Sequence, residues 1–132
     1  MTFTIEGPPR TKKNSQRIVM RGKRRSVMQS EAYCAWEESA VIQLRARYQR
    51  LYRCLAIPGP FTGPVSMCAI VYRDRAVGDL LNYLAAVSDA LEAAGVVSDD
   101  KLVVSVDGSR LAIDRARPRV EVEIEAVVGS AP

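Results

Sequence analysis

Five residues in the stretch Gly78–Lys101, GDLLNYLAAVSDALEAAGVVSDDK, have types and spacing suited to chemistry: Asp79, Asn82, Asp89, Asp99 and Asp100. At about 100° per residue, Asp79, Asn82 and Asp89 fall together on one side of a helix. Leu80, Leu84, Val87 and Leu91 form an apolar stripe on another. Gly95 ends the helix, and Asp99 and Asp100 lead on into a strand. If the chain folds back after Gly95, the acidic pair approaches the polar helix face. Two or three carboxylates meeting there would suit a hard divalent cation, which prefers oxygen ligands. Acids at helix starts are also common caps, so spacing alone leaves Asp79 open between cap and ligand.

Composition narrows the chemistry further. The chain of 132 residues contains no histidine, which removes histidine-based triads, histidine metal sites and the commonest general base. Acid–base or metal chemistry must rest on carboxylates, lysine or tyrosine. Three widely spaced cysteines, Cys34, Cys54 and Cys68, include no CxxC. They argue for reduced thiols in a cytoplasmic setting, against a zinc site or disulfide frame. No apolar run is long enough to span a bilayer, and MTFTIEGPP has no signal-peptide core. A hydrophobic content of 48% with 26% charged residues predicts one packed domain over residues 1–132.

The net charge of +4 hides an asymmetry. Eight of the 19 basic residues lie between Glu6 and Glu31 with no acid among them, leaving 11 basic against 15 acidic elsewhere. Clustered cations suit a polyanion. Residues 10–28 are therefore expected to form a basic arm or loop. Its candidate DNA contacts are Arg10, Lys12, Lys13, Arg17, Arg21, Lys23, Arg24 and Arg25. Asn14 adds a neutral donor for phosphate oxygens. Small apolar islands at Ile18–Met20 and Val27–Met28 flank Gly22, which suggests a small hairpin within the arm.

The elements that must position these residues follow in order. TFTIE (residues 2–6) alternates as a short strand ended by Gly7-Pro8-Pro9. Ser30 is a candidate cap for a helix reaching near Tyr52, with Tyr33, Trp36, Ala40, Leu44, Tyr48 and Leu51 at core spacing. Aromatics at that spacing pack inward more often than they stack on bases. Val65–Tyr72 is a near-continuous apolar run, expected to be covered on both faces. Lys101–Val106 and the alternating Arg117–Val128 complete the strands, with a turn at Asp107-Gly108-Ser109. The sum is a mixed α/β domain: an α+β mixed sheet with two main helices.

At this point the sequence resembles the RusA family of Holliday-junction resolvases, especially its phage-type members. GPPRTKKNSQRIV is similar to the family's N-terminal segment. The pattern D-x-D-N-x-x-K-x-x-x-D-A-L, then a glycine and a DD pair, is matched at Asp79, Asn82, Asp89-Ala90-Leu91, Gly95 and Asp99-Asp100. The resemblance implies a homodimeric, Mg²⁺-dependent endonuclease that cuts four-way DNA junctions. By the same resemblance Asp79 and Asp100 are catalytic, Asp79, Asp99 and Asp100 hold the metal, and Asn82 and Asp89 support them. Two positions depart: Leu81 stands where the family has the second aspartate of D-x-D, and Ala85 where it has the lysine. An acid–base pair on one helical face has become an apolar pair. Two readings follow: a working resolvase with an altered site, for which Asp74 or Asp107 could stand in, or an inactive relative that still binds branched DNA.

Overall fold

The computed structural model describes residues 1–12, 16–21, 24–29, 31–55 and 59–127. The expectations for Lys13, Asn14, Gly22, Lys23 and Ser30 lie outside the described residues. The strands are β1 (Thr2–Glu6), β2 (Gln16–Arg21), β3 (Arg24–Gln29), β4 (Val65–Arg73), β5 (Val103–Ser105), β6 (Arg110–Ile113) and β7 (Arg119–Ala126). The helices are α1 (Glu31–Leu55) and α2 (Leu80–Ala93). The architecture is the expected α+β mixed sheet with two helices.

Central β4 pairs antiparallel with β7, which pairs antiparallel with β1. The other edge of β4 is shared by two short parallel strands, β5 near its start and β6 along its end. In register, Phe3 pairs with Val122 and Ile5 with Val120, while Met67 pairs with Ile124 and Val71 with Val120. These side chains share one face, and all are buried. Both helices pack there: Tyr33, Trp36, Ala40 and Leu44 from α1, and Leu84, Val87, Ala90 and Leu91 from α2. Tyr33 and Trp36 are thus core residues, as their spacing suggested, while Tyr48 is half-buried against the core and Tyr52 is exposed.

The opposite face of β4 is a correction. Ser66, Cys68, Ile70 and Tyr72 are only half-buried, because no helix among the described residues covers that side. An apolar run cannot by itself distinguish a sheet covered twice from one covered once. Strand β6 was not foreseen, since RLAI is too short to show a period. Lys101–Val106 is also shorter as a strand than expected: Lys101 and Leu102 belong to a single 3-10 turn, Asp100–Leu102, that precedes β5.

The ends of α2 are fixed by chemistry legible in the sequence. Asp79 is the N-cap and its Oδ1 accepts from the Asn82 N–H at 2.9 Å. At the other end Val96 N–H donates to Leu91 O and Gly95 N–H to Glu92 O, both at 3.0 Å. This double closure is a Schellman motif and requires a left-handed residue after the cap; Gly95 supplies it with φ of 79°. The Arg45 guanidinium, from α1, donates to Ala93 O at 3.0 Å. The hairpin of β2 and β3 forms a separate sheet, pairing Arg17 with Met28, Met20 with Arg25 and Arg21 with Arg24.

Two substitutions test this frame. Leu91→Ala, at a fully buried position, is expected to cost about 3 kcal/mol. Gly95→Ala meets no atom within 4 Å of its new Cβ, so its cost of about 1 kcal/mol comes from backbone strain alone. Urea unfolding with unchanged slope checks both.

Candidate metal centre

The reversal at Gly95 buries Val96 and Val97 and returns the chain along α2. Phe61 N–H donates to Val96 O at 2.9 Å, and Ser98 N–H to Phe61 O at 3.0 Å, which pins the returning segment. Asp99 then caps the 3-10 turn, its Oδ1 accepting from Lys101 N–H at 2.9 Å. With Asp99 so engaged, the next residue reaches the helix. Carboxylate oxygens of Asp89, Glu92 and Asp100 all lie within 4.8 Å of one another. Asp89 and Asp100 are half-buried and Glu92 is exposed.

Like charge crowds the Asp100 end of this cluster. The Asp89 carboxylate beside Asp100 holds the Asp100 carboxyl above the usual carboxylate range, with partial desolvation and Asp99 adding to the effect. Asp99 moves the opposite way, chiefly because the Lys101 backbone N–H stabilises its charged form. One cation already faces the group: Lys12 Nζ lies 3.1 Å from Asp89 Oδ2. It also lies 5.9 Å from the centre of the Tyr33 ring on α1. The Tyr33 hydroxyl donates to Glu37 at 2.6 Å. Burial first, and then Glu37, push its ionisation upward, so this tyrosine is a neutral wall, not a base.

The sequence-derived candidates distribute unevenly. The fold-back after Gly95 brings Asp100 of the expected metal set beside Asp89, expected only to support it. Glu92 was missed, although it lies three residues beyond Asp89 and hence on the same helical face. Asp79 is engaged at the other end of α2, about 15 Å along the axis at 1.5 Å per residue. There Asn82 binds it twice, through its N–H at 2.9 Å and its Nδ2 at 3.0 Å. Leu81, in the first turn of α2, is 74% exposed. It is not part of the core, and Ala85 one turn on is exposed too.

The remaining candidates are placed as follows. Asp74 forms a two-pronged bond with Arg10, at 2.9 and 3.1 Å. That ion pair lowers the Asp74 carboxyl below its usual range and commits one expected DNA contact to the fold. Asp107 lines a shallow hollow with Ser66, Cys68, Glu123 and Glu125. Among the described residues, neither acid joins the Asp89–Glu92–Asp100 group. Arg17, Arg21, Arg24 and Arg25 lie on the β2–β3 hairpin.

The donor set is made only of carboxylate oxygens, in a number that leaves room for water and phosphate. That fits Mg²⁺ or Mn²⁺ and not a softer metal. No helix among the described residues is long and apolar enough to cross a membrane.

Among known proteins, the family model described as Endodeoxyribonuclease RusA aligns with residues 6–125. No curated protein matches the chain.

The crowding at Asp100 predicts a pH-dependent response to metal. A carboxyl whose folded-state pKa is raised burdens the fold once pH rises past its ordinary titration range, and the burden disappears on acidification. Near neutral pH, Mn²⁺ is therefore expected to raise the melting temperature relative to chelator. The gain should vanish below the carboxylate range and be absent in Asp100→Asn. Differential scanning fluorimetry across pH measures both.

Proposed function

The chain belongs to the RusA endodeoxyribonuclease family, and from that membership we propose that it is a divalent-metal-dependent nuclease acting on branched DNA, four-way junctions above all. The observation that carries this reading is the meeting of Asp89, Glu92 and Asp100 within 4.8 Å, on the side where Lys12 enters. Mg²⁺ is the ion such a set suits, since it binds through few carboxylates and completes its shell with water and phosphate. A divalent ion held there polarises a phosphoryl oxygen and acidifies bound water.

The chain's own residues divide the remaining work. Asp100 and Asp89 hold the ion, with Glu92 as the third, more exposed ligand. Asp99 fixes the 3-10 turn that presents Asp100. Asp79 and Asn82 fix the start of α2, with Asp79 one helix-length from the cluster. The basic arm around Arg17, Arg21, Arg24 and Arg25 neutralises phosphates along the duplex. Acidic side chains on the uncovered sheet face, Glu121, Glu123 and Glu125 with Asp107, repel DNA from that side. Paired cuts in a two-fold junction call for two sites related by a dyad, so a homodimer of this single domain is the expected assembly. The free cysteines fit a cytoplasmic setting.

A second reading rests on Leu81 and Ala85. Both are exposed on α2, so nothing in the packing compels apolar side chains there. A protein that binds branched DNA without cutting it needs the arm and the dimer, but not that helix face.

Mg²⁺-dependent cleavage of a synthetic four-way junction separates the two. The unmodified chain is expected to cut, with Asp100→Asn and Asp89→Asn each losing about 100-fold or more while retaining junction binding. No cleavage by the unmodified chain, with activity appearing in Leu81→Asp/Ala85→Lys, would establish the binding-only reading. Reversing the charges of Lys13 and Arg17 is expected to weaken binding and to reduce its salt dependence by about one unit of slope per lost phosphate contact.

A further inference from the structure

Helix α2 carries no lysine or arginine between Leu80 and Ala93. The cation that meets its acidic face comes from elsewhere in the chain. Lys12 reaches in from the root of the basic arm and stops 3.1 Å from Asp89 Oδ2. Its approach is fixed by the residues before it. Gly7 N–H donates to Pro118 O at 3.1 Å, Arg10 is locked on Asp74, and Thr11 is 2% exposed. The ammonium passes the Tyr33 ring, and that ring is itself buried. Three elements, the arm, α1 and α2, therefore converge on one ammonium group at the edge of the carboxylate cluster. Its side chain remains about half exposed, at 48%, so it has room to swing outward.

We propose that Lys12 is the exchangeable cation of this centre: it pairs with Asp89 while no divalent ion is bound and transfers to a DNA phosphate when one binds. The proposal rests on the reading of Asp89, Glu92 and Asp100 as a cation site. The physical reason is exclusion by charge. An ammonium and a divalent ion cannot both sit close to one Asp89 oxygen without strong mutual repulsion. A displaced Lys12 stays tethered beside the site, because residues 7–11 hold its backbone. It then offers three donors to whatever anion approaches. On DNA that anion is the backbone phosphate next to the one contacting the metal. Lys12 therefore weakens metal binding to the free protein and strengthens DNA binding to the metal-loaded one.

This pair of opposite effects distinguishes an exchangeable cation from a purely structural ion pair. The test uses the full chain with Mn²⁺ as the probe, followed by electron paramagnetic resonance. It is joined to fluorescence anisotropy of a labelled four-way junction in Ca²⁺ at several salt concentrations. Lys12→Met keeps the stem over Tyr33 and removes the charge. It is expected to bind Mn²⁺ roughly threefold tighter in the absence of DNA, the scale of a partly exposed ion pair. Its junction affinity should fall and its salt slope drop by about one. Lys12→Arg should restore the DNA terms. Unchanged or weaker Mn²⁺ binding by Lys12→Met overturns the proposal while leaving the carboxylate site standing, provided Asp100→Asn has lost Mn²⁺. If Asp100→Asn binds Mn²⁺ as well as the unmodified chain, the carboxylate reading fails and this proposal fails with it.

Discussion

The reversal after α2 is the constraint on which the site depends. Gly95 at φ of 79° lets two backbone hydrogen bonds close the helix, and the buried pair Val96-Val97 commits the chain to run back toward the core. Without a left-handed residue there, Asp99 and Asp100 would continue away from the helix axis. With it, Asp99 is consumed as a cap and Asp100 is directed at Asp89. The two adjacent aspartates therefore have opposite environments. One is stabilised by a backbone N–H and the other is crowded by carboxylates. Like charge crowded against Asp100 on one side and Lys12 against Asp89 on the other give this end of α2 its electrostatic character.

Charge is partitioned by the sheet. One face of β4 carries the core and both helices. The other face, with Glu121, Glu123 and Glu125 along β7 and Arg119 stacked on Tyr72 at 3.8 Å, is uncovered and rich in acid. Arg10 illustrates the cost of reading charge from sequence alone. It counts among the arm's cations, yet its guanidinium is tied to Asp74 and serves to hold the arm's root in place.

Exposure at Leu81 bears on how this centre differs from its family's pattern. A buried leucine would have meant that the fold had recruited the position into its core. At 74% exposed, Leu81 contributes little packing. The acids available on α2 lie two to three turns further along, at Asp89 and Glu92, and the cation comes from Lys12 and not from position 85.

Much of this was legible in the sequence, for local reasons. The cap at Asp79, the apolar stripe of α2, the stop at Gly95 and the alternation of β7 depend on neighbours within a few residues, so residue type and period specify them. The family resemblance likewise rests on spacing within one helix and its exit, and the α+β architecture follows from the order of elements. Other features depend on contacts between distant segments. The single covered face of β4, the brief strand β6, the pairing of Arg10 with Asp74 and the approach of Lys12 to Asp89 join residues dozens of positions apart. No period encodes them. The sequence by itself determined that α2 would carry acids and that more would follow it. Only the tertiary structure decided which acids meet, because the direction of the chain after Gly95 is set by burial of Val96 and Val97 and not by the aspartates themselves.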